Sequence, residues 1–392
     1  MSDQKQNVEF PWHLGVYDAH CHPTDTMSSI ASIPQMKATT LTVMATRGED
    51  QDLVLETALS LSKDENTSQG TRPGLVLPCF GWHPWFSHQI IDDMTESSDQ
   101  KDLSLSDRKT QHYKKALTPA PEDAFIASLP NPKPLSQLIA ETRSRLQTCP
   151  NSLVGEVGLD RAFRLPNAWT PDDQEKRDEQ VTPGSREGRT LSPHRVQLSH
   201  QKVVLEAQLR LAGELGRPVS VHSVQAHGAV FDLFKKLWSG HEKQQVSRRQ
   251  KRRQQEESDM NAESDAEDDQ EQKEASKTKK QPLPFPPRIC MHSYSGPVDP
   301  LKQFLHPSNP SDVYFSFSAV INFSNPSSQK VIDVIKSLPD DRILIESDLH
   351  TAGPQMDDLL EQISRQICEL RGLSLEQGVQ QFADNWKRFV YG

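Results

Sequence analysis

Eight short apolar, β-rich runs recur along the chain, and their number and spacing constrain its fold more than any other feature. They are LGVYDAH (14–20), TLTVMAT (40–46), LVLPCFG (75–81), LVGEVGL (153–159), PVSVH (218–222), RICMH (288–292), VYFSFSA (313–319) and RILIES (342–347). Most are continuous apolar stretches, the pattern of parallel strands buried on both faces. Helical patterns with apolar residues at i and i+3 or i+4 separate them, at 50–61, 135–146, 200–215, 228–238, 328–338 and 356–370, and a last one covers 375–390. Strand–helix repetition at this count predicts an α/β protein whose sheet closes into a (β/α)8 TIM barrel; a doubly wound open sheet is the alternative. No phosphate-binding glycine loop follows any strand, which removes the usual reason for the open sheet.

Of the 392 residues only 34% are hydrophobic, while 25% are charged. That balance suggests a normal core diluted by polar insertions. Three stretches, 87–134, 161–196 and 241–286, lack apolar periodicity and read as loosely ordered or disordered. Removing those 130 residues leaves 262, close to the roughly 250 of a one-domain barrel. The expected organisation is one domain over 1–392 interrupted three times. No run approaches the ~18 apolar residues of a membrane span, and the first residues lack the apolar stretch of a secretory signal. The five cysteines (Cys21, Cys79, Cys149, Cys290, Cys368) are scattered and form no CxxC pair. They read as reduced thiols in a cytoplasmic or nuclear protein. A net charge of −10 argues against binding to DNA by overall charge but leaves a local basic cleft open. The run Arg248–Arg253 suggests nuclear import or nucleic-acid contact; a solvated linker balanced by the acidic block after it is the plainer reading.

Polar groups stand where the apolar runs stop. The first run leads into Asp18-Ala19-His20-Cys21-His22, the third into Gly81-Trp82-His83-Pro84, and the fourth carries Glu156 and Asp160. The fifth ends at His222, the sixth at His292, and the eighth in Glu346-Ser347-Asp348. Residues i and i+2 of a strand point the same way, so His20 and His22 can present two imidazoles to one ion. In a (β/α)8 barrel the carboxyl ends of the strands ring the face where the active site is built. Imidazoles and carboxylates converging there would desolvate one another unless a cation joined them. A donor set without thiolate suits Zn²⁺, Mn²⁺ or a similar divalent ion. Asp18 reads as an acceptor that orients a ligand histidine, or as a strand-end cap. Asp160 reads as a brace for the Glu156 strand or a ligand, or as a helix N-cap.

The ordered set DAHCH, GWHP, VGEVGLD, VHS, MHSYSG and ESD resembles the TatD family of metal-dependent deoxyribonucleases, within the amidohydrolase-type barrels, over residues 18–348. The resemblance implies two divalent metal ions (Mg, Mn or Zn). It makes His20 and His22 ligands of the first, Glu156 the bridging carboxylate, and His222 and His292 ligands of the second. Asp348 matches a first-metal ligand that also orients or deprotonates the attacking water, so Asp348 and Glu156 are the expected catalytic residues. His83 matches a histidine assigned to substrate phosphate. The implied reaction is hydrolysis of phosphodiester bonds in DNA by metal-activated water. Two stretches depart from the family pattern: Ser223-Val224 stands where an Arg-Asp pair is common, and Leu349-His350 where Ser-Pro is common. The long insertions resemble a fungal TatD-like branch whose name records a protein partner in the anaphase-promoting complex. That brings in the alternatives, an interaction scaffold built on a hydrolase barrel or a hydrolase of another ester or amide.

Several neighbours are weighed as well. Trp82, Trp85 and Phe86 offer base-stacking faces or a core edge. His227 reads as a helix-start residue or a phosphate contact, and Ser293, Tyr294 and Gly296 as shapers of the mouth. Phe382, Trp386 and Phe389 would pack the last helix on the barrel or dock a partner. Oligomeric state is not legible.

Overall fold

All eight apolar runs become parallel strands, and a computed structural model describes them within residues 8–62, 74–95, 104–244, 282–324 and 328–392. The strands are β1 (Tyr17–Cys21), β2 (Thr40–Met44), β3 (Val76–Phe80), β4 (Leu153–Asp160), β5 (Val219–Val224), β6 (Arg288–Met291), β7 (Asp312–Phe317) and β8 (Ile343–Ile345). They pair in chain order within one sheet. Six of the seven crossovers carry α-helices, and two more helices follow β8. They include α1 (Gln51–Leu61), α2 (Leu105–Ala116), α3 (Asp123–Ser128), α4 (Leu135–Thr148), α5 (Leu198–Glu214), α6 (His227–Trp238), α7 (Val298–Phe304), α8 (Ser328–Ser337) and α9 (Pro354–Arg371), followed by α10 (Leu375–Tyr391). The first connection uses a 3-10 segment instead, Met27–Gln35, which contains Pro34; proline cannot donate to a helical ladder.

The sheet closes between its first and last strands. The Asp348 N–H donates to the His20 carbonyl at 3.0 Å, and the His22 N–H to the Leu349 carbonyl at 2.7 Å. Below them the fully buried Asp18 carboxylate accepts from the backbone N–H groups of His20 and Ser347, both at 3.0 Å, and from the Ser347 hydroxyl. Among the described residues no helix is long and apolar enough to cross a membrane. At the amino-terminal end of the barrel, α10 packs Trp386 and Phe389 against the strand interior. The Trp386 ring stacks on Tyr17 at 4.3 Å, and its Nε1–H donates to Thr42 at 3.1 Å. A Ser374–Gln377 capping box starts this helix.

Two of the three insertions are folded where described, which corrects the expectation of loose order for 87–134 and 161–196. Tyr113, Leu117 and Ile126 from the first meet Leu165 and Val196 from the second in a separate apolar cluster. Leu117–Thr118 pairs antiparallel with Arg195–Val196. Burying this cluster offsets the ordering entropy that polar composition alone leaves unmet. Residues 245–281, including Arg248–Arg253, lie outside the described residues.

Three histidines, His88 and His112 buried and His200 half-buried, fasten the first insertion to the barrel. The His112 Nε2–H donates to the His88 carbonyl at 2.7 Å, the His200 Nε2–H to the Ser87 carbonyl at 3.0 Å, and the His88 Nδ1–H to the Trp85 carbonyl at 3.0 Å. Burial pushes His88 down to about 3 and His112 to about 4, and lowers His200. The folded state therefore holds these rings neutral, whereas the unfolded chain takes up protons below about pH 6.5. Their contribution is complete above that pH and is lost as pH falls from about 6.5 towards 4. We expect thermal unfolding to move down over that window, and H112Q to flatten the decline; an equally steep pH profile in H112Q would contradict this.

Candidate metal centre

Asp18 and His20 belong to β1, and His22 follows directly after its end. The seam just described carries Asp348 to the same spot, and its backbone takes a left-handed φ of 54° there, a conformation non-glycine residues seldom adopt. His20 Nε2 lies 3.1 Å from His22 Nε2 and 3.9 Å from Asp348 Oδ1. His22 Nε2 lies 3.6 Å from the same oxygen. Glu156 enters from β4 with one oxygen on each side of the site. Its Oε2 is 3.3 Å from His20 Nε2 and 3.4 Å from His22 Nε2. Its Oε1 is 2.8 Å from His222 Nδ1 and 2.9 Å from His292 Nε2. The six residues expected as ligands are thus together, and His20, His22, Glu156, His222 and His292 are buried.

This donor set fits a divalent cation. The His222 Nε2–H points at Asp160 Oδ2, 3.1 Å away, so a neutral ring turns its Nδ1 lone pair on Glu156. Lone pair would face carboxylate oxygen at 2.8 Å, and His222 Nδ1 also faces His292 Nε2 at 3.3 Å. Only a proton or a cation reconciles such acceptors. Among the described residues four sets of three donor atoms lie close enough to share an ion: His20, His22 and Asp348; His20, Glu156 and His292; His83, Glu156 and His222; and His292, Glu346 and Asp348. The charges already lean that way. Burial opposes ionisation of Glu156, but His83, His292 and His20 around it hold its carboxyl well below the usual range. Burial would depress His22, yet the hydrogen bond to Asp348 and the Glu156 charge carry it up to about 9.

Three of the four candidate ligand histidines have a neighbour at the outer ring nitrogen, and His22 Nδ1 has none. His20 Nδ1 lies 2.8 Å from the Ser220 hydroxyl. His222 Nε2 has Asp160, whose other oxygen accepts the Ala162 and Phe163 N–H groups. His292 Nδ1 lies 3.6 Å from Glu346, a carboxylate held by the Ser293 N–H and hydroxyl. Sequence reasoning missed Ser220 and Glu346. The signal was present, since each stands two residues before a ligand (His222, Asp348) and so shares its direction. Asp160 lies against the His222 ring, and Gln201 of α5 bonds its backbone N–H and carbonyl. Asp18 departs from expectation. Its carboxylate takes up backbone and serine donors one layer below the imidazoles, so it ties the seam instead of turning a ring.

His83 Nε2 lies 3.1 Å from Glu156 Oε1, while its Nδ1 accepts the Trp85 N–H at 3.2 Å. With Nδ1 occupied, the proton of the neutral ring sits on Nε2, making that atom a donor and not a lone-pair ligand. Burial pushes His83 down to about 4, so the ring is neutral near pH 7. Trp82 and Phe86 lie in an apolar cluster, whereas Trp85 is 37% exposed. His227 starts α6 and packs against the buried Tyr294. Gly296 leaves room for that tyrosine, because a Cβ would come within 2.4 Å of its hydroxyl. His350, at a position where the sequence departs from the family pattern, stacks on His22 at 5.1 Å and lies 2.7 Å from Asp25.

The centre floors a cleft of about 900 Å³ whose walls include Leu129 and Pro130 of the first insertion and Phe163 and Trp169 of the second. A model of the TatD related DNase family matches residues 17–391. The chain belongs to that family. It is similar to the Cut9-interacting protein scn1 of Schizosaccharomyces pombe, 36% identical over 96% of this chain and 98% of the relative. It is also similar to an uncharacterized deoxyribonuclease of Saccharomyces cerevisiae, YMR262W, 25% identical over 79% of this chain and 80% of the relative. Among solved structures, a TatD homologue from Escherichia coli K12 aligns with 96% of this chain and 98% of its own at 18% identity, with a TM-score of 0.48. For this TatD-family chain the strand-end clusters are therefore the candidate hydrolytic site.

Asp160 and Gly158 offer separate tests of the geometry. D160N removes the charged acceptor of the His222 ring and should weaken metal binding roughly 10–100-fold by titration calorimetry, with the circular dichroism of wild type. A Cβ at Gly158 would lie 2.0 Å from the His222 carbonyl, so G158A should force β4 from β5 and lower metal content per chain. Full metal content in both variants would contradict the assignment.

Proposed function

We propose that this chain is a divalent-metal-dependent deoxyribonuclease that hydrolyses phosphodiester bonds at a binuclear centre. The observation that carries the reading is the division of Glu156, one oxygen towards His20 and His22 and the other towards His222 and His292. On this reading His20, His22, Asp348 and Glu156 hold one ion, and Glu156, His222 and His292 the other. Nitrogen and oxygen donors without sulfur suit Mg, Mn or Zn. Bound there, such ions neutralise charge on an anionic ester and bring the pKa of a coordinated water towards roughly 7.

The remaining roles belong to the side chains. Asp348 is held ionised: burial opposes this, but the His22 hydrogen bond and the nearby His292 and His20 outweigh it. Its carboxylate orients the attacking water and accepts its proton. His83 directs its Nε2–H at a phosphate oxygen of the substrate. Asp160 and Ser220 keep His222 and His20 in their working tautomers. Action in the cytoplasm or nucleus accords with the reduced cysteines.

Purified protein loaded with Mg²⁺, Mn²⁺ or Zn²⁺ should degrade a labelled DNA oligonucleotide. H20A and D348N should lower that rate at least about a hundredfold while keeping the wild-type melting profile, and E156A should lose bound metal as well. Metal-loaded wild type that leaves DNA intact would overturn the proposal. The name of the S. pombe relative favours a second reading, a protein-binding role for the same barrel. Under it, D348N would retain affinity for a Cut9-type protein measured directly; absence of wild-type binding would remove that role.

A further inference from the structure

Four guanidinium groups line the cleft: Arg47, Arg177, Arg186 and Arg189. Two are cancelled by acids. Arg47 is buried and lies 2.7 Å from Asp25 and 3.1 Å from Asp50. Arg177 lies 2.5 Å from Glu187. Arg186 and Arg189 differ, since the hydrogen bonds they donate go to backbone carbonyls. Arg186 Nε–H donates to the Arg189 carbonyl at 2.8 Å, and Arg189 Nε–H to the Arg186 carbonyl at 3.1 Å. Arg189 further donates to the carbonyls of Ser185 and Asn167. Among the described residues neither forms a salt bridge. Outside the metal centre, Glu49 is the one lining carboxylate that they leave without an ion pair.

Among the described residues the guanidinium groups of the cleft that lack an acid therefore both come from the 161–196 insertion. Arg189 is half-buried, so its guanidinium has given up part of its hydration without gaining an acid, while Arg186 stands exposed at the rim. Its planar fork matches the oxygens of a phosphate. Flat aromatic faces lie in the same wall. Arg189 sits 4.4 Å over the Trp169 ring, and Trp85 stacks on Phe163 at 4.7 Å. Stacking of this kind holds a nucleobase irrespective of sequence.

We propose that Arg186 and Arg189 form an anion subsite for a phosphate removed from the scissile bond, beside the Trp85–Phe163 pair as a base-stacking face. The insertion then makes the enzyme selective for oligonucleotides over isolated small diesters. This deepens the nuclease reading and rests on it for the scissile chemistry, while the subsite itself is a binding property.

The test uses the full chain loaded with Mn²⁺ and a short fluorescein-labelled oligothymidylate. Binding is read by anisotropy across a salt series, and cleavage is compared with that of bis(p-nitrophenyl) phosphate. R186Q and R189Q should each weaken oligonucleotide binding roughly tenfold, since a charge-assisted bond to phosphate is lost. Each should flatten the log–log salt slope by about 0.7, the share of one phosphate contact on a single strand. The ratio of kcat/KM for oligonucleotide over the small diester should fall with them, and R186K should restore most of the slope. Wild-type binding and slope in both glutamine variants would overturn the subsite. So would a loss of binding in R186Q that R186K does not recover, which marks a loop-building role. Wild type that binds through these arginines but cleaves nothing would uphold the subsite and overturn the nuclease reading; cleavage with unaltered slopes would do the reverse.

Discussion

The seam between the first and last strands is the interaction on which both the fold and the site depend. Backbone bonds from Asp348 to His20 and from His22 to Leu349 close the sheet at the height of the metal centre. Residues more than 300 positions apart become neighbours by the same contacts that turn an open sheet into a barrel. Asp18 secures the join from beneath, fully buried with three donors on its carboxylate. Burial raises its pKa to about 7, so ionisation there is sustained only by those donors. An interior acid is tolerable when its lone pairs are filled.

Above the seam the balance runs the other way. Several imidazoles surround Glu156 with too few protons to pair them all, and His22 Nδ1 and His292 Nδ1 find no hydrogen-bond partner. Such a cluster is poorly satisfied by protein atoms alone, and that is the physical signature of a site completed by a cation. Its rigidity comes from neutral scaffolding. Gln201 and Gln208 of α5 bond the main chain at Asp160 and Trp82, so one amphipathic helix fixes the ends of two strands.

The barrel was legible because parallel strands buried on both faces leave continuous apolar runs, and all eight were visible. The ligands were legible because each stands where such a run stops. What could not be read was anything that depends on pairing across long separations. Asp18 looked like a partner for an imidazole, since the chain does not reveal that Ser347 lies beside it. The insertions looked loose because their apolar anchors, Tyr113, Ile126 and Leu165 among them, are single residues in polar surroundings. His83 was assigned to substrate from resemblance, and its donor tautomer emerges only from the Trp85 N–H on its Nδ1.

That split cluster has a consequence for how the protein can change. Neither insertion owns a core: one contributes Tyr113, Leu117 and Ile126, the other Leu165 and Val196. Excising either would strand apolar surface on its counterpart, so the pair is inherited, trimmed or transplanted as a single module. The roof over the strand-end site thus depends on two stretches of sequence far apart in the chain, and a change in one is felt by the other.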